Sequence, residues 1–285
     1  MQGSWRELVQ IKRPPAPTPA SRRLRRIVLL TAVLTLAADV VNLKYSTEGG
    51  FGLGVRTFWA MLRAVGFLFL MREIRWGRLT ARPFGLILAV TTVFASARLA
   101  QPRKDGFLPP WPVLVALAVI LTLCAVVVWQ LFRSPAIAAH LTRRPSKRPI
   151  PPWALTARVA ALSYSALLSV PCLVAAGTLW DEPRLPRSTA VPLVISWFVL
   201  GIAVAFVASL ISFAMMFGHT WARVLLAMIS VFVLLVQPVL CWLLLGADGV
   251  IRDGVPLVLA ALVCLYGLAR SGTGRPDPAA GTSSA

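Results

Sequence analysis

The chain alternates long apolar stretches with short polar segments that carry most of its arginines. An α-helix rises about 1.5 Å per residue and needs about 20 apolar residues to cross the hydrocarbon core of a bilayer. Eight stretches approach or exceed this length, at about 27–42, 56–71, 84–100, 111–132, 153–179, 191–217, 221–245 and 255–268. The pattern predicts an all-α fold, a polytopic membrane bundle of about eight transmembrane helices.

Polar segments divide these spans into two transmembrane halves of four. Half 1 covers 27–132 and half 2 covers 153–269, and a basic, proline-containing linker at 133–152 joins them. Residues 1–26 form a basic, proline-rich arm before the first span. Residues 270–285 are rich in Gly, Pro, Ser and Thr, so we expect a disordered tail.

The two halves resemble each other in the turns that precede their third spans. Ala81 and Arg82 are repeated as Ala222 and Arg223, at an offset of 141 residues. A duplication of four spans would leave both copies in the same orientation and would form a parallel internal repeat. The alternative is chance, because short arginine-bearing turns are common in any protein that obeys the positive-inside rule.

Composition excludes a soluble protein. Hydrophobic residues make up 58% of the chain and charged residues only 14%, whereas a soluble domain carries about a quarter of its residues as charged side chains. The net charge of +19 would suggest nucleic acid in a soluble protein, but here the basic residues lie between apolar stretches. We therefore expect a lipid bilayer and no nucleic acid as partner, and the Arg, Ala, Val and Leu bias suggests a bacterial genome.

The distribution of basic residues predicts the orientation, since Lys and Arg near spans are retained in the cytoplasm. With eight spans, the basic residues concentrate on the side that holds both termini, which places the protein in the bacterial cytoplasmic membrane with both ends inside. The arm and the linker should then contact anionic headgroups. The residues expected to do so are Arg22, Arg23, Arg25, Arg26, Arg143, Arg144, Lys147 and Arg148.

Two charged residues interrupt apolar stretches in the outer half of the predicted bundle. Asp39 lies in the first span and Arg63 in the second. A charge at the bilayer centre costs roughly 2.5–3.5 kcal/mol on insertion scales, so such residues usually face a partner or a wet cavity. The pair therefore predicts either a proton or substrate site, or a structural ion pair that locks the first two helices together.

Other polar residues lie in the second half. Ser163 and Tyr164 fall in the fifth span, whose Pro171 removes a backbone hydrogen bond, and Gln237 precedes Pro238 in the seventh. These side chains could line a pathway, and an unwound segment at Gln237 could border a cavity. The alternative is ordinary helix packing, in which each polar group is satisfied locally.

Enzymatic chemistry has little support. The histidines, His140 and His219, belong to no triad or ligand-spaced group, and the four cysteines fall singly within predicted spans. We expect no catalytic residue, no metal and no cofactor. An intramembrane enzyme that acts on lipid is the remaining alternative.

Two functions remain. The first is a non-enzymatic structural or accessory component of an envelope or transport complex, in contact with another membrane protein. The alternative is a small permease or channel-like transporter that uses Asp39 and Arg63. A permease predicts a polar cavity reached by Asp39 or Gln237, whereas an accessory protein predicts a dry core and an apolar groove for its partner.

Overall fold

The structure, a computed structural model, describes residues 16–45, 51–97, 111–141, 152–179, 183–217 and 219–270. These ranges are helical and contain no strand, which confirms the all-α prediction. The helices are α1 (Pro19–Tyr45), α2 (Phe51–Arg75), α3 (Ala81–Ala97), α4 (Trp111–Arg133), α5 (Pro135–Leu141), α6 (Pro152–Thr178), α7 (Arg187–Met216), α8 (Thr220–Gly249) and α9 (Val255–Ala269). A π-helical turn, Val250–Gly254, joins α8 to α9.

Five helical stretches in the described ranges are long and apolar enough to cross a membrane. They are Gly54–Arg75, Trp111–Arg133, Pro152–Thr178, Arg187–Met216 and the continuous run Thr220–Ala269. α3 is apolar but shorter, with 17 residues, about 25 Å at 1.5 Å per residue. These lengths indicate a membrane protein, and each of the eight predicted spans falls on one long helix. That all eight cross the bilayer stays a prediction.

The run Thr220–Ala269 is not one straight span. Its 50 residues would extend about 75 Å, more than twice the hydrocarbon thickness of a bilayer. Gly246 breaks the helix with φ 75° and ψ −163°, and the chain then turns back on itself. A Cβ at Gly254 would lie 3.8 Å from Cys241. Leu226 and Leu268, near the other ends of the two helices, belong to the same core, so α8 and α9 form an antiparallel hairpin.

α1 begins earlier than the predicted first span. Thr18 caps it, since the Thr18 hydroxyl oxygen accepts a hydrogen bond from the Ser21 backbone N–H at 3.2 Å. Pro19 occupies the first helical position, where its missing N–H has no cost. The arginines expected at the end of the arm therefore form the first two turns of α1, with Arg22, Arg23 and Arg26 exposed and Arg25 half-buried.

The linker between the halves is partly ordered. Ser134 caps α5, and the His140 ring, which is buried, hydrogen-bonds through Nε2 to the Ile74 carbonyl oxygen at 3.0 Å. All four residues of the linker that were predicted to contact headgroups lie outside the described residues. They are Arg143, Arg144, Lys147 and Arg148.

Each half has its own core. In half 1, buried side chains of α1 to α5 form one cluster, and in half 2 buried side chains of α6 to α9 form two, the larger of which also includes Ile87 of α3. The neighbours also correspond: α1 and α3 each contact α2 and α4, while α6 and α8 each contact α7 and α9. At an offset of 141 residues the end of α2, Arg75, coincides with the end of α7, Met216. These relations favour an internal duplication, which stays a prediction.

The two ends of the bundle differ in charge. The helix ends that carry Arg26, Arg75, Arg133, Arg158 and Arg270 lie together, and we call this the basic end. The other end, where α1 meets α2 and α8 meets α9, is called the opposite end. The halves meet through α2, α3, α6 and α9, so any feature between these helices involves both halves.

Candidate functional site

A charged cavity lies between the two halves, toward the opposite end. Its volume is about 50 Å³. Half 1 contributes side chains from α1, α2 and α3, and half 2 contributes side chains from α6 and the π-helical turn. The ionisable residues that line it are Asp39, Arg56, Arg63, Arg252 and Asp253. The cavity thus combines charges that are far apart in sequence.

Arg63 is the most deeply placed of these residues. It lies twelve residues from both Phe51 and Arg75, about 18 Å along the helix axis in either direction. Its side chain is only 6% exposed, and its Cζ lies 5.9 Å from the centre of the Trp59 ring. Its Nε–H is buried and has no hydrogen-bond partner in the described part of the chain. Arg63 is therefore in the middle of α2 rather than near its outer end.

Asp39 lies on the other wall of the cavity. Its carboxylate accepts a hydrogen bond from the Thr57 hydroxyl and interacts electrostatically with Arg63. α1 and α2 pack side by side, and both residues line the cavity. The structure thus places Asp39 and Arg63 at one cavity, although Arg63 lies deeper in its helix than its position in the sequence suggested.

Arg252 and Asp253 form the ion pair of the cavity. Arg252 donates to Asp253 Oδ2 from Nη2 at 2.6 Å and from Nε at 3.0 Å, and it also donates to Asp248 at 3.1 Å. The side chains of Arg252 and Asp253 are 7% and 5% exposed. The sequence analysis singled out neither Arg252 nor Asp253 and so missed this pair. The available signal was a charged doublet between Ile251 and Gly254 before an unusually short apolar stretch.

The turn that holds this pair is itself buried. Gly246, Gly249 and Gly254 are buried, and α9 continues for only 15 residues, about 22 Å, before it reaches the basic end. Non-helical backbone at membrane depth is tolerated where protein or a water-filled cavity surrounds it. α8 continues through Gln237 and Pro238, so the unwound segment considered there does not form, and the helix breaks at Gly246, one residue after the predicted end of the seventh span.

The cavity has an excess of positive charge. Three arginines and two aspartates line it, and besides Arg63 the buried Nε–H of Arg56 also has no partner among the described residues. A buried unpaired donor costs about 1–3 kcal/mol, so these groups favour an anion or ordered water in the cavity. No group of three or more His, Cys, Asp or Glu in the described ranges could hold a metal ion.

The other candidate residues do not reach the cavity. Tyr164 donates to the Ser230 hydroxyl at 2.9 Å, and Gln237 accepts a hydrogen bond from the Trp197 indole at 2.9 Å. Ser163 donates to the Ala160 carbonyl at 2.6 Å. Tyr164 and Gln237 are thus satisfied inside half 2, as the packing alternative predicted.

A larger apolar groove adjoins the cavity. It has a volume of about 630 Å³ and lies between α2 and α3 of half 1 and α6 of half 2, so it is also located between the halves. Trp59 and Arg63 line both the groove and the cavity, and Ser163 lies in its wall. Toward the basic end the groove reaches Arg78 and Arg158.

Comparison with protein-family models, with curated proteins and with solved structures finds no match to this chain. A function for the chain therefore has to be inferred from its own residues and geometry.

Proposed function

We propose that this chain is a small permease of the bacterial cytoplasmic membrane, non-enzymatic, with eight spans and both termini in the cytoplasm. The charged cavity is its transport site. One observation supports this above the others: ionisable residues of both halves meet around one buried cavity beside a break in a helix. Transporters that alternate between two openings commonly bind their cargo between two repeats, at broken helices.

The position of the charges suits such a mechanism. Arg63 belongs to half 1, while Arg252 and Asp253 belong to half 2, so a movement of one half against the other would change the distances between them. An anion or water between these groups would in turn stabilise one arrangement over the other. A structural lock between α1 and α2 would not need the charged pair Arg252–Asp253 from the other half.

The cargo that fits is small. A cavity of about 50 Å³ has room for a few water molecules, and its arginines outnumber its aspartates. A small anion matches the unpaired Arg63 and Arg56 donors, and a proton could be exchanged with Asp39. We therefore propose a small anion as cargo, with proton coupling through Asp39.

A second candidate is the structural or accessory component expected first from the sequence. It is favoured by the apolar groove, which could receive a helix of another membrane protein. On that view Asp39 and Arg63 serve only to hold α1 against α2, and the cavity is a by-product of burying them.

Flux measurements separate the two candidates. The full-length protein is reconstituted in liposomes, and chloride and proton flux under an imposed membrane potential are recorded for wild type, Asp39→Asn, Arg63→Gln and the double variant. We expect wild type to dissipate the gradients. Each single variant should reduce flux at least tenfold, since a charge-assisted contact contributes about 1.5–3 kcal/mol.

Arg187→Gln is the matched control, because it makes the same substitution at an exposed arginine of the opposite end. Its flux should equal that of wild type. Thermal stability in detergent is measured for every variant. If the single variants lose stability, the double variant regains it and no variant changes flux, the pair is a structural lock and the accessory role replaces the permease.

A further inference from the structure

The groove between α2, α3 and α6 has apolar walls that run along three helices. On α2 the lining residues Leu62, Gly66 and Phe69 follow one another at steps of three or four, which defines a single helix face. On α6 the lining residues, which include Leu155 and Leu162, also lie on one helix face. On α3 the same is true of Phe84 and Ile87. The groove is therefore a continuous apolar channel along the bundle axis.

The groove opens to the outside of the bundle. Leu62, Val65, Phe69 and Leu162 line it and are exposed, and Ala166 leaves room between them. From Trp59 to Glu73 the groove follows α2 for fourteen residues, about 21 Å. In a bilayer, hydrocarbon chains would surround this opening, and a chain could enter sideways.

Charged residues occur at the basic end of the groove. Arg78 pairs with Glu73 at 2.8 Å, and the Thr80 hydroxyl donates to the same carboxylate at 2.5 Å. Arg158 lines the groove nearby, on the second turn of α6. Since Glu73 is already engaged, Arg158 supplies a positive charge at this mouth that no carboxylate of the described residues pairs with.

We infer that this groove binds one acyl chain of an anionic phospholipid, whose phosphate lies between Arg158 and Arg78. The apolar walls match the acyl chain, and the cations match the phosphate. A zwitterionic lipid fits less well. Its ammonium or choline group would lie near two arginines, and Glu73, the acid that lines the groove, is already paired with Arg78. The volume of about 630 Å³ is within the range of ligand pockets, roughly 300–1,000 Å³.

This binding site differs from the general attraction of basic segments to the membrane surface. It is specific to one crevice between the halves, and it would fill the space beside Trp59 and Arg63 with hydrocarbon. A bound lipid would thus exclude water from that side of the charged cavity. The inference depends on the groove alone and does not require the cavity to transport anything.

Lipid retention tests the inference. The full-length protein is transferred to detergent with equimolar phosphatidylglycerol and phosphatidylcholine, and bound lipid is counted by native mass spectrometry. We expect about one phosphatidylglycerol per protein for wild type. Arg158→Gln should weaken this binding about tenfold, the effect of losing one charge-assisted hydrogen bond, and Arg158→Lys should restore part of it.

Ala166→Phe, which fills the groove, should reduce retention of both lipids. The matched controls are Arg133→Gln, an exposed arginine of the same end, and Ala203→Phe, an exposed alanine of α7 outside the groove. Both should retain lipid as wild type does. Thermal stability without lipid identifies variants that fail to fold. If Ala166→Phe fails to fold, Arg158→Gln still tests the inference, because Arg158 is partly exposed and its substitution should not disrupt the core.

Three outcomes would overturn the inference. In the first, Arg158→Gln binds phosphatidylglycerol as tightly as Arg133→Gln does. In the second, wild type retains phosphatidylcholine equally well. In the third, a copurifying polypeptide occupies the groove and keeps lipid out, which would instead support the accessory role. Because lipid retention is the readout, a failure of the transport proposal would leave these results unchanged.

Discussion

Buried polar side chains in this bundle are of two kinds. Tyr164 and Gln237 have side-chain partners, so they cost little and help to fix how the helices of half 2 pack. Arg63 and Arg56 retain buried N–H groups without partners in the described residues, and they line the same cavity. An unsatisfied donor is expensive. Arg25 and Arg223 also have buried Nε–H groups without partners in the described residues, so what indicates a site is that Arg63 and Arg56 meet other charged side chains at one cavity.

The Trp197–Gln237 hydrogen bond should stabilise the fold measurably. Trp197→Phe removes the indole N–H and leaves the Gln237 carbonyl oxygen buried without a partner, at a cost of about 1–3 kcal/mol beyond the lost packing. Gln237→Leu orphans the indole instead. The double variant removes both polar groups, so its loss of unfolding free energy in detergent should be smaller than the sum of the single losses.

Trp129→Phe is the control for the change in side-chain size, since Trp129 is 65% exposed. It should cost well under 1 kcal/mol, as surface substitutions usually change stability by less than about 0.5 kcal/mol. Additive losses in the Trp197 and Gln237 variants would mean that this hydrogen bond contributes nothing and that the two residues stabilise the bundle separately.

The sequence predicted only part of the site. Asp39 and Arg63 could be recognised because a charge inside an apolar run conflicts with its local surroundings. Arg252 and Asp253 were missed, because a charged doublet near a turn looks like an ordinary loop until the short helix after it is seen to keep that turn inside the bundle. Arg252 pairs with its neighbour Asp253 and with Asp248, but the position of this pair beside Asp39 and Arg63 depends on contacts between the halves, and no local pattern encodes these.

Among the helices and turns, the break between α8 and α9 has the greatest consequence. Gly246 has φ 75°, a conformation in which side chains with a Cβ are strained. Arg184, from the segment before α7, donates to the Trp242 carbonyl at 3.3 Å and lies against Gly246. Arg184 thus satisfies a carbonyl at the end of the helix, where a cation is favourable.

Gly246→Ala should therefore destabilise the hairpin. A backbone at φ 75° and ψ −163° is essentially restricted to glycine and costs about 1–3 kcal/mol for a residue with a Cβ, and the added methyl group would collide with the Arg184 guanidinium. Gly54→Ala is the control, since Gly54 lies in the first turn of α2 and a methyl group added there would have no atom within 4 Å. It should leave stability unchanged or raise it by up to about 1 kcal/mol.

Chemical denaturation in detergent measures both variants. Equal stability of Gly246→Ala and wild type would show that the turn adopts another conformation. Gly246→Ala should also reduce flux if the permease proposal is right, because the same turn carries Arg252 and Asp253 into the cavity.

Helix positions were far easier to predict than this break. Long apolar runs are required to cross hydrocarbon, so each of the eight predicted spans falls on a helix, with ends that differ mainly where caps such as Thr18 extend the helix into the polar segment. The predicted seventh span ends at 245, one residue before the break at Gly246, whereas the unwound segment considered at Gln237-Pro238 does not form. Proline inside a helix is the stronger signal in the sequence, yet α8 continues through Pro238.

On the scale of the whole molecule, the protein consists of two four-helix units with matching neighbour relations. The charged cavity and the apolar groove both lie between these units, and Trp59 and Arg63 belong to both. If both proposals hold, a lipid in the groove would change the surroundings of an anion in the cavity. The arrangement depends on both units having the same orientation, which requires an even number of crossings in each.

Cysteine labelling tests that requirement. The four native cysteines are buried in helices and should not react with a membrane-impermeant maleimide in intact cells. Ser188→Cys introduces an exposed thiol at the opposite end, while Thr220→Cys and Arg270→Cys introduce exposed thiols at the basic end. Because the basic end carries most of the arginines, we expect it to face the cytoplasm.

Ser188→Cys should then be labelled in intact cells, and the other two variants only after permeabilisation. Arg270→Cys is the decisive variant, because it follows α9, whose 15 residues form the shortest of the long helices. Its labelling in intact cells, with Thr220→Cys still protected, would mean that α9 does not return to the cytoplasmic side. Half 2 would then have an odd number of crossings, and the two units could not be parallel repeats.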